Sequence, residues 1–318
     1  MFQQLALAGL VPVIKVDKAQ DAVPLCAALQ RGGLPVAEIT FRTAAAEEAI
    51  RLVHEQLPDV LLGAGTVLTT AQADAAMKAG AGYLVSPGFN PVVVQHCLDK
   101  GYPILPGVSG PSDIEAALAM GLTAVKFFPA EPLGGVKLLK ALLGPYRGIG
   151  FVPTGGISEA NLKDYLSIPQ VLACGGSWMV PDDAVKAQDW ARIEQLARQA
   201  VQAVLGMELT HIGLNAQNPE QGMKDAQILS LITGWPILGN TKFNCFIGSG
   251  FEMMKQGGPG TNGHIALGTL SVPRAKWHME KRGFTFDDST AKYDANGKLR
   301  FIYLTDPVAG FGVHLIQK

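Results

Sequence analysis

The chain has 318 residues, a length that favours two domains over one. Its formal net charge of −1 argues against a basic surface that binds nucleic acid or an anionic membrane. No apolar run reaches the roughly 18 residues that a membrane-spanning helix needs, so none is predicted.

The N-terminal stretch MFQQLALAGLVPVIKV is apolar but has no basic region before it and no small-residue cleavage site. We interpret it as a helix turn followed by a strand rather than as a signal peptide. The four cysteines are far apart in the sequence and form no CxxC pair, which is typical of reduced, buried thiols. A cytoplasmic location is therefore expected.

Short apolar runs recur about every 20 to 27 residues between positions 11 and 178, separated by Ala-, Leu- and Glu-rich segments of helical periodicity. The runs are VPVIKV, PVAEITF, VLLGAGT, GYLVSPG, YPILPGV, TAVKFFP, GFVPTGG and VLACGGS. Apolar strands joined by helices indicate a parallel sheet that is buried on both faces. Eight such units predict an α/β fold, a (β/α)8 TIM barrel, over a doubly wound open sheet. A helix over 189–206 is expected to close this domain.

Residues with chemical potential lie where the predicted strands end, which is where a parallel barrel places its active site. The second strand brings Glu38 and Arg42 to one face, and the sixth carries Lys126. The last two strands end in the glycine pairs Gly155-Gly156 and Gly175-Gly176.

Lys126 is flanked by apolar residues in AVKFFPA, where an unpaired charge costs several kcal/mol. One interpretation is a lysine that only extends to the barrel mouth. The favoured one is an amine that burial keeps neutral enough to attack a carbonyl group. Glu38 is then either the ion-pair partner of Lys126 or Arg42, or a proton shuttle, and Arg42 offers a planar fork for a carboxylate or phosphate.

The two glycine pairs are in the usual position of a phosphate site in this fold, since bare backbone N–H groups can approach an anion there. Ser158 is a candidate cap for the helix that follows. Tight turns without a ligand are the alternative interpretation.

Six ordered motifs, EITFRT, GAGTVL, SPGF, KFFPA, PTGGIS and GGSW, make residues 8 to 205 similar to the 2-keto-3-deoxy-6-phosphogluconate and 4-hydroxy-2-oxoglutarate aldolases. The resemblance implies a metal-independent carbon–carbon lyase of the Entner–Doudoroff pathway, which forms a Schiff base and releases pyruvate. It also implies a homotrimer that uses no cofactor in this domain and acts on a 2-oxo acid and a phosphorylated sugar acid.

The same resemblance implies roles for individual residues. Lys126 would be the Schiff-base lysine and Glu38 the general acid and base. The remaining residues would bind substrate: Arg42 and Thr66 the pyruvate carboxylate, Pro87 and Phe128 the pocket walls, and Gly155, Gly156, Gly176 and Ser177 the distal phosphate.

Beyond Gly206 the strand–helix alternation stops, so we predict domains 1–206 and 207–318. A weak repeat relates THIGLN and GHIALG, which begin at positions 210 and 263. Each copy is followed by an amphipathic stretch and strand-like segments, a layout that predicts a smaller α+β domain of two paired βαβββ modules.

The repeated H-I-x-L starts and the closing LTDPVAGFGVHLIQK resemble the vicinal oxygen chelate, or glyoxalase-like, fold. That resemblance implies a divalent metal held by His211, Glu252, His264 and His314, although His314 stands where the family usually has glutamate. The alternative is a domain with the fold and no chemistry.

Three functions are left open by the sequence. The first is a Schiff-base aldolase, with its preferred substrate undetermined. The second is a phosphate-binding isomerase or epimerase in which Lys126 acts as an electrostatic clamp. The third is a bifunctional protein with metal-dependent, glyoxalase-like activity in its C-terminal domain.

Overall fold

The computed structural model describes residues 1–318, which divide into a first unit, Met1–Val204, and a second unit, Leu205–Lys318. No helix is both long and apolar enough to cross a membrane. All four cysteines are buried thiols.

In the first unit, short strands alternate with helices. The strands are β1 (Leu10–Ile14), β2 (Val36–Thr40), β3 (Leu61–Gly65), β4 (Tyr83–Val85), β5 (Ile104–Leu105), β6 (Gly107–Val108), β7 (Ala124–Phe127), β8 (Gly150–Pro153) and β9 (Cys174–Gly176). The helices are α1 (Phe2–Ala8), α2 (Ala22–Arg31), α3 (Ala46–Gln56), α4 (Thr70–Lys78), α5 (Pro91–Asp99), α6 (Pro111–Ala119), α7 (Ala130–Leu133), α8 (Gly135–Leu142), α9 (Glu159–Leu166), α10 (Asp182–Lys186) and α11 (Trp190–Leu205), with a 3-10 turn at Ala19–Asp21.

The strands of the first unit pair in parallel, as their buried apolar runs predict. They form a six-stranded sheet in the order β5-β4-β3-β2-β1-β9 and a three-stranded sheet in the order β6-β7-β8. Isolated parallel bridges join Phe151 to Val171 and Thr154 to Gly175, and thus link β8 to the segment that contains β9. The mixed α/β content is confirmed, although one continuous eight-stranded ladder is not present.

The interruption has a local cause at Pro106. The run YPILPGV was expected to be one strand, but it forms β5 and β6 on either side of this proline. Proline has no N–H to donate to a ladder and therefore breaks regular pairing. Its carbonyl oxygen still accepts from the Lys126 N–H at 2.9 Å, so the segment keeps its place beside β7.

The second unit is strand-rich and contains the order strand, helix, three strands twice. The first copy is β10 (Glu208–Asn215), α12 (Pro219–Thr233), β11 (Ile237–Leu238), β12 (Asn244–Ile247) and β13 (Phe251–Met254). The second copy is β14 (Gly263–Thr269), α13 (Val272–Glu280), β15 (Phe286–Tyr293), β16 (Leu299–Leu304) and β17 (Phe311–Gln317).

All eight strands of the second unit belong to one sheet, in the order β11-β12-β13-β10-β14-β17-β16-β15. The first strands of the two copies, β10 and β14, pair antiparallel at its centre. Each of them pairs in parallel with the last strand of its own copy. The four central strands are therefore the first and last strands of the two repeats.

Candidate functional site

Lys126 and Glu38 form a buried ion pair in the first unit. Lys126 lies on β7 and Glu38 on β2, and their side chains are only 8% and 4% exposed. Lys126 Nζ donates to Glu38 Oε1 at 3.3 Å. Because each charge compensates the other, an apolar strand can hold a lysine without an uncompensated buried cation.

The carboxylate of Glu38 lies against the bare backbone of Gly65, at the end of β3. A methyl group on Gly65 would come within 2.3 Å of Glu38 Oε1. Tyr83 is packed in a similar way against Gly63, at 2.2 Å from the position of a Cβ. The glycines of GAGTVL thus create the space into which Glu38 and Tyr83 fit.

A cavity of about 180 Å³ collects most of the predicted substrate-binding residues. Its lining includes Arg42, Phe128, Gly155, Gly156, Gly176 and Ser177. The ring of Phe128 also lies next to the amine, with its centroid 5.4 Å from Lys126 Nζ. The cavity is small and its backbone groups are accessible on the glycine side, which suits a compact anion.

Arg42 is held by a relay of hydrogen bonds. Its Nε donates to Thr40 Oγ1 at 3.0 Å, and the Thr40 hydroxyl donates to the Ile14 carbonyl at 2.8 Å. Thr66 and Pro87 follow β3 and β4 but do not line the cavity. Thr66 has a φ of 57°, a strained value for a residue with a branched side chain.

The first glycine pair forms a turn of unusual backbone conformation. Gly155 and Gly156 have φ values of 97° and 82°, which residues with a Cβ rarely adopt. Ser158 is the N-cap residue of α9, and its N–H donates to Asn161 Oδ1 at 2.9 Å. The turn therefore leads directly into a capped helix.

In the second unit, the four predicted metal ligands lie on the four central strands. His211 is on β10, Glu252 on β13, His264 on β14 and His314 on β17, and all four are buried. One ring nitrogen from each of the three histidines lies within 4.8 Å of the others.

Three of these donor atoms form a nearly equilateral triangle. His211 Nε2 lies 3.1 Å from His264 Nε2, and Glu252 Oε2 lies 3.2 and 3.1 Å from these two nitrogens. Ligands bound to one ion at about 2.1 Å, at angles of roughly 90–110°, are about 3.0–3.4 Å apart. The spacing of the triangle therefore matches donors around a single cation.

Protons alone satisfy this triangle poorly. If both Nε2 atoms carry hydrogen to donate to Glu252, neither can accept a hydrogen bond from the other, although they lie 3.1 Å apart. His264 Nδ1 and His314 Nδ1 are buried without a hydrogen-bond partner. The residues present consequently fit a divalent metal ion, which would accept one lone pair from each of His211 Nε2, His264 Nε2 and Glu252 Oε2.

Asn244 orients this carboxylate and was not predicted from the sequence. Its side-chain amide donates to Glu252 Oε1, which leaves Oε2 for the histidines. Asn244 pairs with Met254 in the ladder of β12 and β13, so it is diagonal to Glu252 on the same face. The signal was available only once the register of this hairpin was known.

The electrostatics of the cluster follow from burial and from these contacts. Burial opposes ionisation of Glu252, but hydrogen bonds from His211, His264 and Asn244 outweigh it and hold its pKa below the ordinary value. Burial, together with repulsion from His264 and His211, lowers the pKa of His314 to about 3. His314 is therefore a neutral imidazole at physiological pH.

A cavity of about 530 Å³ adjoins this cluster. Its lining is mainly apolar and aromatic, with Phe246, Phe301 and Tyr303 around the histidines. Burial, and secondarily the charge of Glu252, raises the pKa of Tyr303 to about 12. The arrangement suits a small organic ligand that reaches the donor atoms.

Comparison with known proteins places the first unit in a family. The KDPG and KHG aldolase family model matches residues 2–196. The chain belongs to this family, and it is accordingly an aldolase, a carbon–carbon lyase. Family membership decides against the isomerase alternative. The match ends before the second unit begins.

Individual relatives agree over the same region. A 2-dehydro-3-deoxy-phosphogluconate aldolase of Treponema pallidum is 50% identical over 204 residues, which is 64% of this chain and 97% of the relative. A KHG/KDPG aldolase of Escherichia coli K12 is 45% identical over 62% of this chain and 93% of its own.

A solved structure shows the chemistry of one relative. It is a KDPG aldolase of Legionella pneumophila with pyruvate captured as a covalent carbinolamine intermediate. It is 38% identical to this chain, covers 63% of this chain and 98% of its own, and superposes with a TM-score of 0.61.

Proposed function

We propose that the first unit cleaves 2-dehydro-3-deoxy-6-phosphogluconate to pyruvate and glyceraldehyde 3-phosphate through a Schiff base at Lys126. It would cleave 4-hydroxy-2-oxoglutarate to pyruvate and glyoxylate at the same lysine. The observation that carries this proposal is the buried pair in which Lys126 Nζ lies 3.3 Å from Glu38 Oε1.

The pair supplies both groups that the reaction needs. Transfer of a proton from Lys126 to Glu38 gives a neutral amine, whose lone pair attacks the C2 carbonyl and forms a carbinolamine. Loss of water, with a proton supplied by Glu38, gives the cationic imine. Glu38 then accepts the C4 hydroxyl proton as the C3–C4 bond breaks, and the electron pair moves into the imine to form an enamine.

The remaining steps reverse the first ones. Glu38 returns its proton to C3 of the enamine, and water attacks the resulting imine to release pyruvate and the free lysine. Each proton that Glu38 accepts is returned within the cycle, so no cofactor is required for this sequence.

The surrounding residues would orient the substrate along the cavity. Arg42 and Thr66 would bind the carboxylate next to the carbonyl, with Pro87 and Phe128 as walls. Gly155, Gly156, Gly176 and Ser177 would bind the distal phosphate. Five of the six positions beyond the carboxylate-binding pair line the 180 Å³ cavity, and so does Arg42, which supports this direction of binding.

Trapping tests the imine directly. Borohydride added with pyruvate should reduce the imine and leave a covalent adduct on Lys126, identified by peptide mass spectrometry, with activity lost in parallel. Borohydride alone is the control. A protein that stays unmodified while it cleaves the substrate would contradict the mechanism.

We also propose that the first unit closes into a (β/α)8 barrel and assembles as a homotrimer. The bridges Phe151–Val171 and Thr154–Gly175 support closure between β8 and β9, and the hydrogen bond from Lys126 N–H to Pro106 supports it between β7 and the β5–β6 segment. The trimer rests on the family resemblance alone, and light scattering in solution measures it.

For the second unit we propose a vicinal oxygen chelate fold that binds a divalent metal. Support comes from the duplicated strand order and from the triangle of His211 Nε2, His264 Nε2 and Glu252 Oε2. His314 would complete the set. A bound metal would act as a Lewis acid toward an oxygen-bearing ligand in the 530 Å³ cavity.

Elemental analysis tests this second proposal. Purified protein dialysed against one divalent metal at a time should retain about one ion per chain, and the variant that combines His211→Ala with His264→Ala should retain none. His96→Ala, which removes a histidine paired with Asp74 in the first unit, is the matched control. Metal that persists in the double variant would refute the site.

A further inference from the structure

We propose that the hydrogen bond between Tyr165 and Glu131 holds the Gly155-Gly156 turn in the shape that receives a phosphate group. Tyr165 is then a positioning residue that favours phosphorylated over unphosphorylated aldol substrates. This inference rests on the proposed function, because it concerns the distal end of the same substrate site.

The turn needs such support because two successive glycines have little conformational preference of their own. Both have positive φ values, and glycine reaches many other conformations at similar cost. Neighbouring residues must therefore determine how the backbone N–H groups of the turn are aimed.

Glu131 provides contacts to both glycines. Its N–H donates to the Gly155 carbonyl at 3.0 Å, directly after Ala130 N–H donates to the Thr154 carbonyl at 2.8 Å. Its Cβ lies 2.5 Å from the position that a Cβ on Gly156 would occupy. The side chain of Glu131 thus lies directly against the turn.

Tyr165 in turn anchors Glu131. The Tyr165 ring is fully buried, and its hydroxyl donates a hydrogen bond to Glu131 Oε1. Burial and this bond both raise the pKa of Tyr165, so the hydroxyl stays protonated and remains a donor. A buried phenol needs such a partner for its hydroxyl group.

Contacts from two sides hold the Gly155-Gly156 turn. Tyr165 lies on α9, the helix that begins just after the turn, and Asn161 of the same helix donates to the Gly156 carbonyl at 3.1 Å. Glu131 holds the other side. The turn therefore lies between α9 and the segment after β7, and contacts both. The Tyr165–Glu131 hydrogen bond joins these two elements.

Loss of the Tyr165 hydroxyl would remove the hydrogen bond between α9 and Glu131 without leaving a cavity in the core. In Tyr165→Phe the ring remains, while the Glu131 carboxylate becomes free to move beside the place of the phosphate. Misaligned donors and the mobile negative charge both weaken phosphate binding. Lys126 and Glu38 are untouched, so the chemistry at the other end of the substrate should persist.

Steady-state kinetics on two substrates tests the inference. In Tyr165→Phe, the KM for 2-dehydro-3-deoxy-6-phosphogluconate should rise about 5–10-fold, with kcat nearly unchanged. The KM for 4-hydroxy-2-oxoglutarate, which has no phosphate, should change by less than about 2-fold. Glu131→Gln keeps a hydrogen-bond acceptor and should retain most of the preference, whereas Glu131→Ala should not.

Tyr146→Phe is the matched control. The Tyr146 hydroxyl donates to Glu115 Oε1 at 2.8 Å, and neither residue contributes to the Gly155-Gly156 turn. The substitution removes the same kind of bond and should alter neither KM. A Tyr165→Phe enzyme with an unchanged ratio of the two KM values, or with equal rises in both, would overturn the positioning role. A wild-type protein that cleaves neither substrate would instead overturn the proposed function.

Discussion

The two units bury polar groups in different ways. In the first, one amine meets one carboxylate, so the Lys126–Glu38 pair is balanced in charge. In the second, three imidazoles surround a single carboxylate, and two ring nitrogens are left without partners. A balanced pair can exchange a proton within itself and needs nothing further, whereas an excess of lone pairs is stabilised by an added cation.

The comparison is tested most severely at Lys126. Lys126→Arg keeps the positive charge next to Glu38 but cannot form the imine, so aldol cleavage should fall by at least about 10⁴-fold. Pyruvate release in a coupled assay measures this. Metal retained by the second unit should be unchanged in the same sample, and substantial turnover in this variant would mean that charge alone suffices.

A second substitution acts on Glu38, the partner of Lys126, by changing the backbone position against which its carboxylate packs. In Gly65→Ala, the new methyl group would lie 2.3 Å from Glu38 Oε1 and must displace the carboxylate. A shift of about 1 Å can cost on the order of 10²-fold in rate, so kcat should fall by about that factor. Borohydride trapping of pyruvate should persist. Gly88→Ala is the control, since a Cβ there meets no atom within 4 Å.

The corresponding substitution in the second unit is Gly213→Ala. A methyl group at this position would lie 2.0 Å from the His264 ring and would move it away from His211 and Glu252. Metal affinity should fall about 10–100-fold, as measured by competition with a chromogenic chelator. Aldol activity should not change. An equal loss of aldol activity and of metal affinity would contradict the independence of the two centres.

The smallest effect concerns pH. In chelator-treated protein, the pKa of His314 is about 3, whereas an unfolded histidine titrates near its ordinary value of 6.5. The unfolded state therefore binds more protons below pH 6.5, and stability must fall as the pH falls. From about pH 8 to about pH 5 the loss should be about 2 kcal/mol.

Replacement of His314 isolates its share of this loss. His314→Gln should show a flatter dependence of stability on pH than the wild type, as followed by calorimetry. Glu252 contributes in the same direction, since its pKa is also lowered, so the slope should decrease without vanishing. Parallel curves for the two proteins would contradict a neutral, buried His314.

The sequence predicted strand ends and repeats well, because both depend on local pattern. Lys126 and Glu38 lie within two of the predicted strands, and the repeat indicated which histidines share a sheet. The sequence could not predict that Tyr165 would contact Glu131 or that Asn244 would contact Glu252, because such contacts depend on helix packing and strand register. The break at Pro106 could be recognised in principle, but the apolar run around it favoured a continuous strand.

The pairing of β10 with β14 has a thermodynamic consequence. Each repeat contributes two of the four candidate ligands, so neither half contains a complete coordination set. An ion bound there would crosslink the two halves across a single antiparallel ladder and would stabilise the paired form alone. At a free concentration of about 100 times Kd, this linkage adds about 2.7 kcal/mol to the stability of the pairing.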